Sequence, residues 1–550
     1  MKRFFNKYII GVLLVAPALG SCSSDYLETT STDSVSPPTL FATTENAKGA
    51  INGIAKLMTM QWAEDDKGYG QGFNGEGTVK LYNGEYPGNN FSRPRLTGWR
   101  AIFNMEYMER NSSVYDNFMW TYYYRMISNS NAVLENIAAA EGPESDRQFI
   151  KAQAYTFRAY AYMQLVQLYA KRWSDDNGAG SYIVLKLNST VEELPFSTTE
   201  DIMDQIYADL DNAIDLFIES GEKATDLFLP SLNAAYGVYA RAAMVRQDWE
   251  TALENAKLAR DGYPLMSNEE YGSGFCDPTS EWIWYCYGSS QETLYYWSYQ
   301  AYIAYNANSS ITRGYRTCIS SDLLNKVPDT DYRKNLFFHP GIWADQDPDK
   351  DGYQNDYFSK DYDMTDSEVV DPDFNIVLDE NFKEEAQDYI LETAPYSELY
   401  PTTASVNVYE HKKIAAFGGV ADGNFNLIRS SEMVLIEAEA NYRLGNEAEA
   451  QAALNELNAG SGRDETYECT ATGNDLFEEI VTYRGLELWG EGFDWFDMKR
   501  WGRAIDRTSI SEGGSFSATM AVTIESDDVN NWQWVTPLNE VDYNSALSEP

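Results

Sequence analysis

Apolar residues recur at three- and four-residue spacing along most of the chain, which predicts a mostly helical protein. Ala47, Ala50, Ile51, Ile54 and Leu57 make one face of a helix that Thr44 can cap. Trp120, Tyr123, Ile127, Asn131, Leu134 and Ile137 make a second stripe. Ala154, Phe157, Arg158, Tyr160, Ala161, Leu165, Leu168 and Tyr169 make a third. Near the C-terminus, Phe477, Ile480, Val481, Arg484, Leu488 and Glu491 share a face. Gly492 can then adopt the left-handed conformation that ends a helix. A short second helix should follow, carrying Phe493, Trp495, Phe496, Met498 and Trp501.

Two stretches repeat a finer pattern. Ala240, Ala252, Ala256, Ala259 and Pro264 have the spacing of a tetratricopeptide unit, with small residues where two antiparallel helices approach closely. Ala438, Leu444, Gly445, Ala450, Leu454 and Leu457 repeat the scheme far downstream. That separation predicts C-terminal helices folded back onto the earlier ones, with the intervening segment inserted.

The pattern breaks in two places. Over 63–100, Gly68, Gly70, Gly72, Gly75, Gly77, Gly84 and Gly88 alternate with Tyr69, Phe73, Tyr82, Tyr86 and Trp99. Glycine disfavours regular helix, so a loop-rich segment is expected. In the insertion, Glu281 to Tyr287 is rich in β-branched and aromatic residues and reads as a strand. Leu294 to Asn306 then crowds Tyr295, Tyr296, Trp297, Tyr299, Tyr302 and Tyr305 together. A surface avoids this much aromatic area unless it binds something. Flat rings suit sugars, whose axial C–H groups pack on the π-face, although peptide side chains or core packing would also use them.

Composition narrows the function. The 550 residues carry a formal net charge of −44, dispersed along the chain, which argues against a nucleic-acid partner. The two histidines, His339 and His411, exclude a histidine-rich metal centre. Cys276, Cys286, Cys318 and Cys469 contain no CxxC; Cys276 with Cys286 is the nearest pair, and buried thiols are an equal alternative. Asp345, Asp347, Asp349 and Asp351 resemble the start of a calcium loop, but the twelfth position from Asp347 is Phe358 rather than glutamate. A solvated acidic turn is expected and no cofactor, with calcium at Asp347, Asp349 and Asp351 the lesser alternative. Arg484, Glu487 and Glu491 read as an ion-paired lock on an aromatic core rather than as an acid/base pair, because an arginine lowers carboxyl pKa values.

The N-terminus reads as a targeting segment. Lys2, Arg3 and Lys7 precede an apolar run from Ile9 to Leu19 that is too short to span a bilayer. Leu19-Gly20-Ser21-Cys22 resembles a lipobox, which makes Cys22 the expected lipidation site. Residues 1–21 are taken as signal peptide and 22–38, rich in Ser, Thr, Asp and Pro, as a lipidated tether.

Ile480, Arg484, Glu487, Leu488, Glu491, Gly492, Asp497, Met498, Arg500 and Trp501 fall on the C-terminal signature of the SusD/RagB family of outer-membrane nutrient-binding lipoproteins, which the chain therefore resembles. Met498 replaces the usual leucine, and Asp494 stands where a basic residue is common. The string Phe157 to Ala170 resembles a second family signature. Asp331 with Arg333, and the ending from Trp534 to Asn544, fit as well. The resemblance implies a single domain over 39–550, built from tetratricopeptide-like helical units near 101–266 and 429–505. Irregular ligand-binding regions near 63–100 and 267–428 contain short strands. It also implies a non-enzymatic, surface-exposed lipoprotein that captures glycans and delivers them to a SusC-like TonB-dependent transporter. Peptide capture, as in the RagB branch, is the alternative, and a glycoside hydrolase a more distant one. Tyr82, Trp99, Trp297, Tyr299 and Tyr302 are the expected stacking residues, with Arg95 and Asn306 for hydroxyls.

Overall fold

The structure is a computed structural model that describes residues 37–61, 73–93, 99–288, 298–338, 388, 390–401, 409–418 and 421–547. Helices dominate. After a single turn at Pro37–Leu40, the helix α1 (Thr44–Leu57) buries Ala47, Ile51, Ile54 and Leu57 as the stripe requires. Its cap is Thr43 rather than Thr44: the Thr43 hydroxyl accepts from the Asn46 amide at 3.1 Å. Thr44 is the first helical residue, and its hydroxyl donates to Asp146 at 2.9 Å, across to the start of a later helix.

The glycine-rich stretch departs from expectation. Its described part is a helix, α2 (Gly75–Val79), that continues as a π-helical turn over Lys80–Glu85. Gly84 serves close approach, not flexibility. A Cβ there would lie 2.3 Å from the carbonyl oxygen of Gly492, so two backbones meet directly. A two-residue strand, β1 (Phe91–Ser92), follows.

Two long helices, α3 (Val114–Asn136) and α4 (Glu144–Tyr169), form the N-terminal scaffold with α5 (Thr199–Ser220). Arg158, in the middle of α4, ties the three together. It donates to Asp209 of α5 at 2.7 and 2.6 Å and to Asn131 of α3 at 2.7 Å. The helical hairpin α6 (Leu232–Arg246) and α7 (Trp249–Ala259) buries Ala240, Ala252, Ala256 and Ala259 completely, as close helix approach demands.

The insertion opens with β2 (Trp282–Cys286). It includes a short helix, α8 (Tyr299–Ile303), and the strand β3 (Cys318–Ile319), which pairs with β1. It closes with β4 (Phe425–Arg429), antiparallel to β2, with Cys286 opposite Phe425 and Trp282 opposite Arg429. This pairing zips the two ends of the insertion together. The second hairpin, α9 (Ser430–Arg443) and α10 (Glu447–Asn455), then returns to the first. Arg260 reaches Glu437 at 2.5 Å and Arg241 reaches Glu432 at 2.6 Å, so the C-terminal helices do fold back on the earlier ones.

The signature segment forms α11 (Gly473–Glu487) and α12 (Asp494–Trp501). The helix ends earlier than its apolar stripe suggests. Gly490 and Gly492 both take positive φ, 81° and 90°, so Glu491 sits in the turn rather than on the helix. Cys276, Cys286, Cys318 and Cys469 are buried, and Cys276 and Cys286 are not bonded to each other.

Two glycine substitutions should separate contact from flexibility. Gly84→Ala is expected to destabilise the protein by about 1–3 kcal/mol in chemical denaturation, since no side chain can yield. Gly53→Ala, on the exposed face of α1 with nothing within 4 Å, should stabilise it by roughly 0.4–1 kcal/mol.

Candidate ligand-binding site

The break in the helical pattern brings aromatic residues from four elements together. Tyr82 comes from the π-helical turn, Trp99 from the entry to a short helix at Arg100–Phe103, Tyr115 from the first turn of α3 and Tyr302 from α8. Ring centroids lie 5.4 Å apart for Trp99 and Tyr302, 5.8 Å for Tyr82 and Tyr302, and 5.8 Å for Tyr82 and Tyr115. Tyr107 stacks on Tyr115 at 4.7 Å. Tyr82 and Tyr302 are buried, whereas Trp99, Tyr107 and Tyr115 are half-buried and form a ridge. Arg110 lies over the outer ring, 5.3 Å from the Tyr107 centroid.

Beneath the ridge lies Arg93, fully buried, its guanidinium 4.9 Å from the Trp99 ring and 5.4 Å from Tyr86. One nitrogen donates to the Tyr302 carbonyl. Burial raises the Tyr82 and Tyr302 phenol pKa values, so both hydroxyls stay protonated.

Of the residues expected from the sequence, the structure brings Tyr82, Trp99 and Tyr302 together. Of these only Trp99 has a half-exposed ring; Tyr82 and Tyr302 are buried and support the ridge rather than face a ligand, and Tyr299 and Asn306 are buried away from it. Tyr299 packs on Phe425 at 4.7 Å and its hydroxyl donates to the Gly490 carbonyl. Asn306 donates to the carbonyls of Tyr396 and Ala416 at 3.0 and 2.9 Å and accepts from the Ala416 amide at 2.7 Å. Its amide is a strut between loops, with little capacity left for a sugar hydroxyl. The described part of the Leu294–Asn306 stretch is therefore core, not an exposed platform. Arg95, Trp297, Cys22, Asp347, Asp349 and Asp351 lie outside the described residues. Sequence reading passed over Tyr107 and Tyr115, which flank a polar turn just before α3. It also passed over Tyr287, half exposed beside Phe228 at 5.7 Å.

The carboxylates of the signature segment do different work. Glu487 and Glu491 are buried, and their main partner is not Arg484 but Arg429 of β4. Arg429 contacts Glu487 at 2.7 Å, Glu491 at 2.8 Å and Glu281 at 2.5 Å. Arg333 joins Glu487 at 2.8 Å while paired with Asp331 at 2.6 Å, and Lys413 joins Glu491 at 2.8 Å. Arg484 instead pairs with Asp497 at 2.5 Å. Burial opposes ionisation of Glu491, but Arg429 and Lys413 outweigh it and draw its pKa down to about 2; Glu487 is lowered in the same way. Such groups hold charge and do not donate protons near neutral pH. Among the described residues no cluster of three His, Cys, Asp or Glu could hold a metal ion, and no helix is long and apolar enough to cross a membrane.

Comparisons with known proteins agree with this architecture. Residues 54–244 match a family described as "Starch-binding associating with outer membrane", and residues 249–543 match the SusD family. The chain belongs to the SusD family. It is 21% identical over 535 residues to a SusD-like protein of Formosa agariphila, covering 92% of this chain and 93% of that one. Its fold superposes on a SusD-like carbohydrate binding protein of Bacteroides vulgatus with a TM-score of 0.71 at 21% identity, covering 92% of this chain and 98% of that one. A SusD superfamily protein of Bacteroides thetaiotaomicron gives 0.67 at 20% identity, with 92% and 99% covered.

Two sets of buried carboxyls should give stability an acidic optimum. Glu487 and Glu491 have depressed pKa values, so their contribution is complete above the unfolded value of about 4.3 and is lost as pH falls toward about 2. Glu85, pushed up to about 8 by burial and by Asp494, acts in the opposite sense, as do Asp494 at about 7 and Asp116 at about 8. Their contribution is complete below about 4 and is lost as pH rises through those values. Thermal unfolding against pH should therefore peak near pH 4–5. Glu85→Gln keeps the acceptor for the Gly492 and Phe493 amides and should flatten the limb above the peak.

Proposed function

We propose that this protein captures glycans at the outer-membrane surface and passes them to a SusC-like TonB-dependent transporter, held to the membrane by acyl chains on Cys22. The observation that carries the reading is the half-exposed ridge of Trp99, Tyr107 and Tyr115, backed by Tyr82 and Tyr302. Family membership and the carbohydrate-binding description of the Bacteroides vulgatus relative support it. Capture needs no catalytic group. Each well-packed ring contributes about 0.5–1.5 kcal/mol by analogy with aromatic side-chain pairs. Several rings, less ordering costs, give roughly micromolar affinity. The ring faces supply affinity, while linkage specificity falls to polar groups around them, where Arg100, Glu106 and Arg110 stand linked along one edge at 2.8 and 3.9 Å.

Affinity electrophoresis through gels cast with a panel of polysaccharides tests this. Retardation in at least one gel is the expected result. Trp99→Ala should weaken that binding about tenfold, the equivalent of one stacking contact, with the folded state verified by thermal unfolding. The double substitution Trp99→Ala with Trp297→Ala should abolish it. Passage of the wild-type protein unretarded through every gel, with binding to a peptide panel, would overturn the glycan reading.

A further inference from the structure

A cavity of about 50 Å³ lies between the π-helical turn, α4, α6, α9 and the turn leading into α12. Its walls include Glu76, Lys80, Arg241, Arg484 and Phe493. Nearly every charge on these walls has a partner. Arg241 grips Glu432 through two bonds of 2.6 and 2.7 Å. Asp497 joins Arg484 and Arg500 at 2.5 and 2.8 Å. Glu491 is taken by Arg429 and Lys413. Glu76 accepts from Tyr122, Tyr123, Tyr160 and Gln164 at 2.6–3.2 Å.

Lys80 is the exception. The residue is only 7% exposed, and among the described residues its ammonium has neither a hydrogen-bond acceptor nor a carboxylate within 4.0 Å. Its neighbours of note are the Phe493 ring, 5.4 Å from Nζ, the like charge of Arg241, and the carboxyls of Glu491 and Glu76, which act on it from beyond 4.0 Å. On the same walls, Nη1 of Arg484 is buried without an acceptor. Arg484 also borders a neighbouring void of about 10 Å³ lined in part by Glu85, whose Oε2 has no donor, so the site rests on Lys80. A buried cation without an acceptor is costly, and the cavity exceeds the roughly 10–15 Å³ that one water needs.

We propose that this cavity binds a compact monoanion, a halide or a short carboxylate, against the Lys80 ammonium with Nη1 of Arg484 as second donor. Such an ion would supply the acceptor both groups lack. It would also bridge the glycine-rich turn to the signature segment, because Lys80 lies directly against Gly492, where a Cβ would come within 2.8 Å of Lys80 Cα. This site is separate from the aromatic ridge and does not rest on glycan capture.

Thermal unfolding at constant ionic strength, exchanging a bulky sulfonate for chloride, formate or acetate, is the test. One or more of these ions should raise Tm by about 2–3 °C at a hundredfold excess over Kd. Chloride against formate and acetate distinguishes a halide site from a carboxylate site. Lys80→Met should abolish the dependence, and Lys80→Arg should keep it. Should Lys80→Met fail to fold, crystals of the wild-type protein grown with bromide decide the matter, through an anomalous peak within hydrogen-bonding distance of Lys80 Nζ. Water alone in the cavity, no Tm response to any of the ions, or an equal response in Lys80→Met would overturn the proposal.

Discussion

The arrangement turns on the guanidinium of Arg429. One side chain, buried at the end of β4, meets Glu281 beside β2, Glu487 at the end of α11 and Glu491 in the turn that follows. Those three carboxylates come from the opening of the insertion and from the C-terminal signature, so Arg429 joins the insertion's closing strand to both. Replacing a buried ion pair by well-packed apolar residues is often neutral, whereas removing one partner alone costs about 3–5 kcal/mol. The network is thus intolerant of partial loss rather than a large net source of stability. Arg333 with Asp331, Lys413, and Arg463 at 3.9 Å from Glu487 extend it, so that four cations face four carboxylates.

The rest of the site's geometry follows from where this lock holds the 488–493 turn. Gly492 can lie against Gly84 because Gly84 lacks a side chain, and against Lys80 because Gly492 lacks one; the two contacts position the π-helical turn carrying Tyr82. Tyr299 anchors α8 to the same turn through the Gly490 carbonyl, which places Tyr302 beside Tyr82 and Trp99. The aromatic ridge is therefore mounted on a buried polar frame, with its half-exposed rings on the outer edge. Preorganised rings lose little freedom on binding a ligand.

Much of the helical scaffold was legible because helix periodicity is a local property. The stripes of α1, α3 and α4, the alanines of the α6–α7 hairpin and the return of α9 and α10 all follow from spacing alone. The lock was legible only in kind. Glu487 and Glu491 announced a buried ion-paired site, but Arg484, their neighbour on the helix stripe, was the wrong cation. Their partners Arg429 and Arg333 lie 58 and 154 residues away from Glu487 in sequence, and no local pattern reports such a pairing. Three of the expected stacking residues, Tyr82, Trp99 and Tyr302, do meet, but Tyr82 and Tyr302 are buried and only Trp99 keeps a half-exposed ring. Tyr299 and Asn306 were chosen by the same aromatic and polar logic and lie in the interior instead. Composition shows that a segment is rich in rings, not which side of it another segment will cover.

The class of fold, the order of its helices, the strand at Trp282–Cys286, the charged signature and the absence of a histidine-based centre could all be read along the chain. Each of these depends on residue type and short-range spacing. Tertiary structure decided which cation neutralises which carboxylate, that Gly84 is a contact rather than a hinge, and which aromatic rings remain half exposed. Those outcomes depend on what packs against a residue from elsewhere in the chain. A glycine, a tyrosine or a glutamate reads the same in sequence whether its neighbour is water or another backbone.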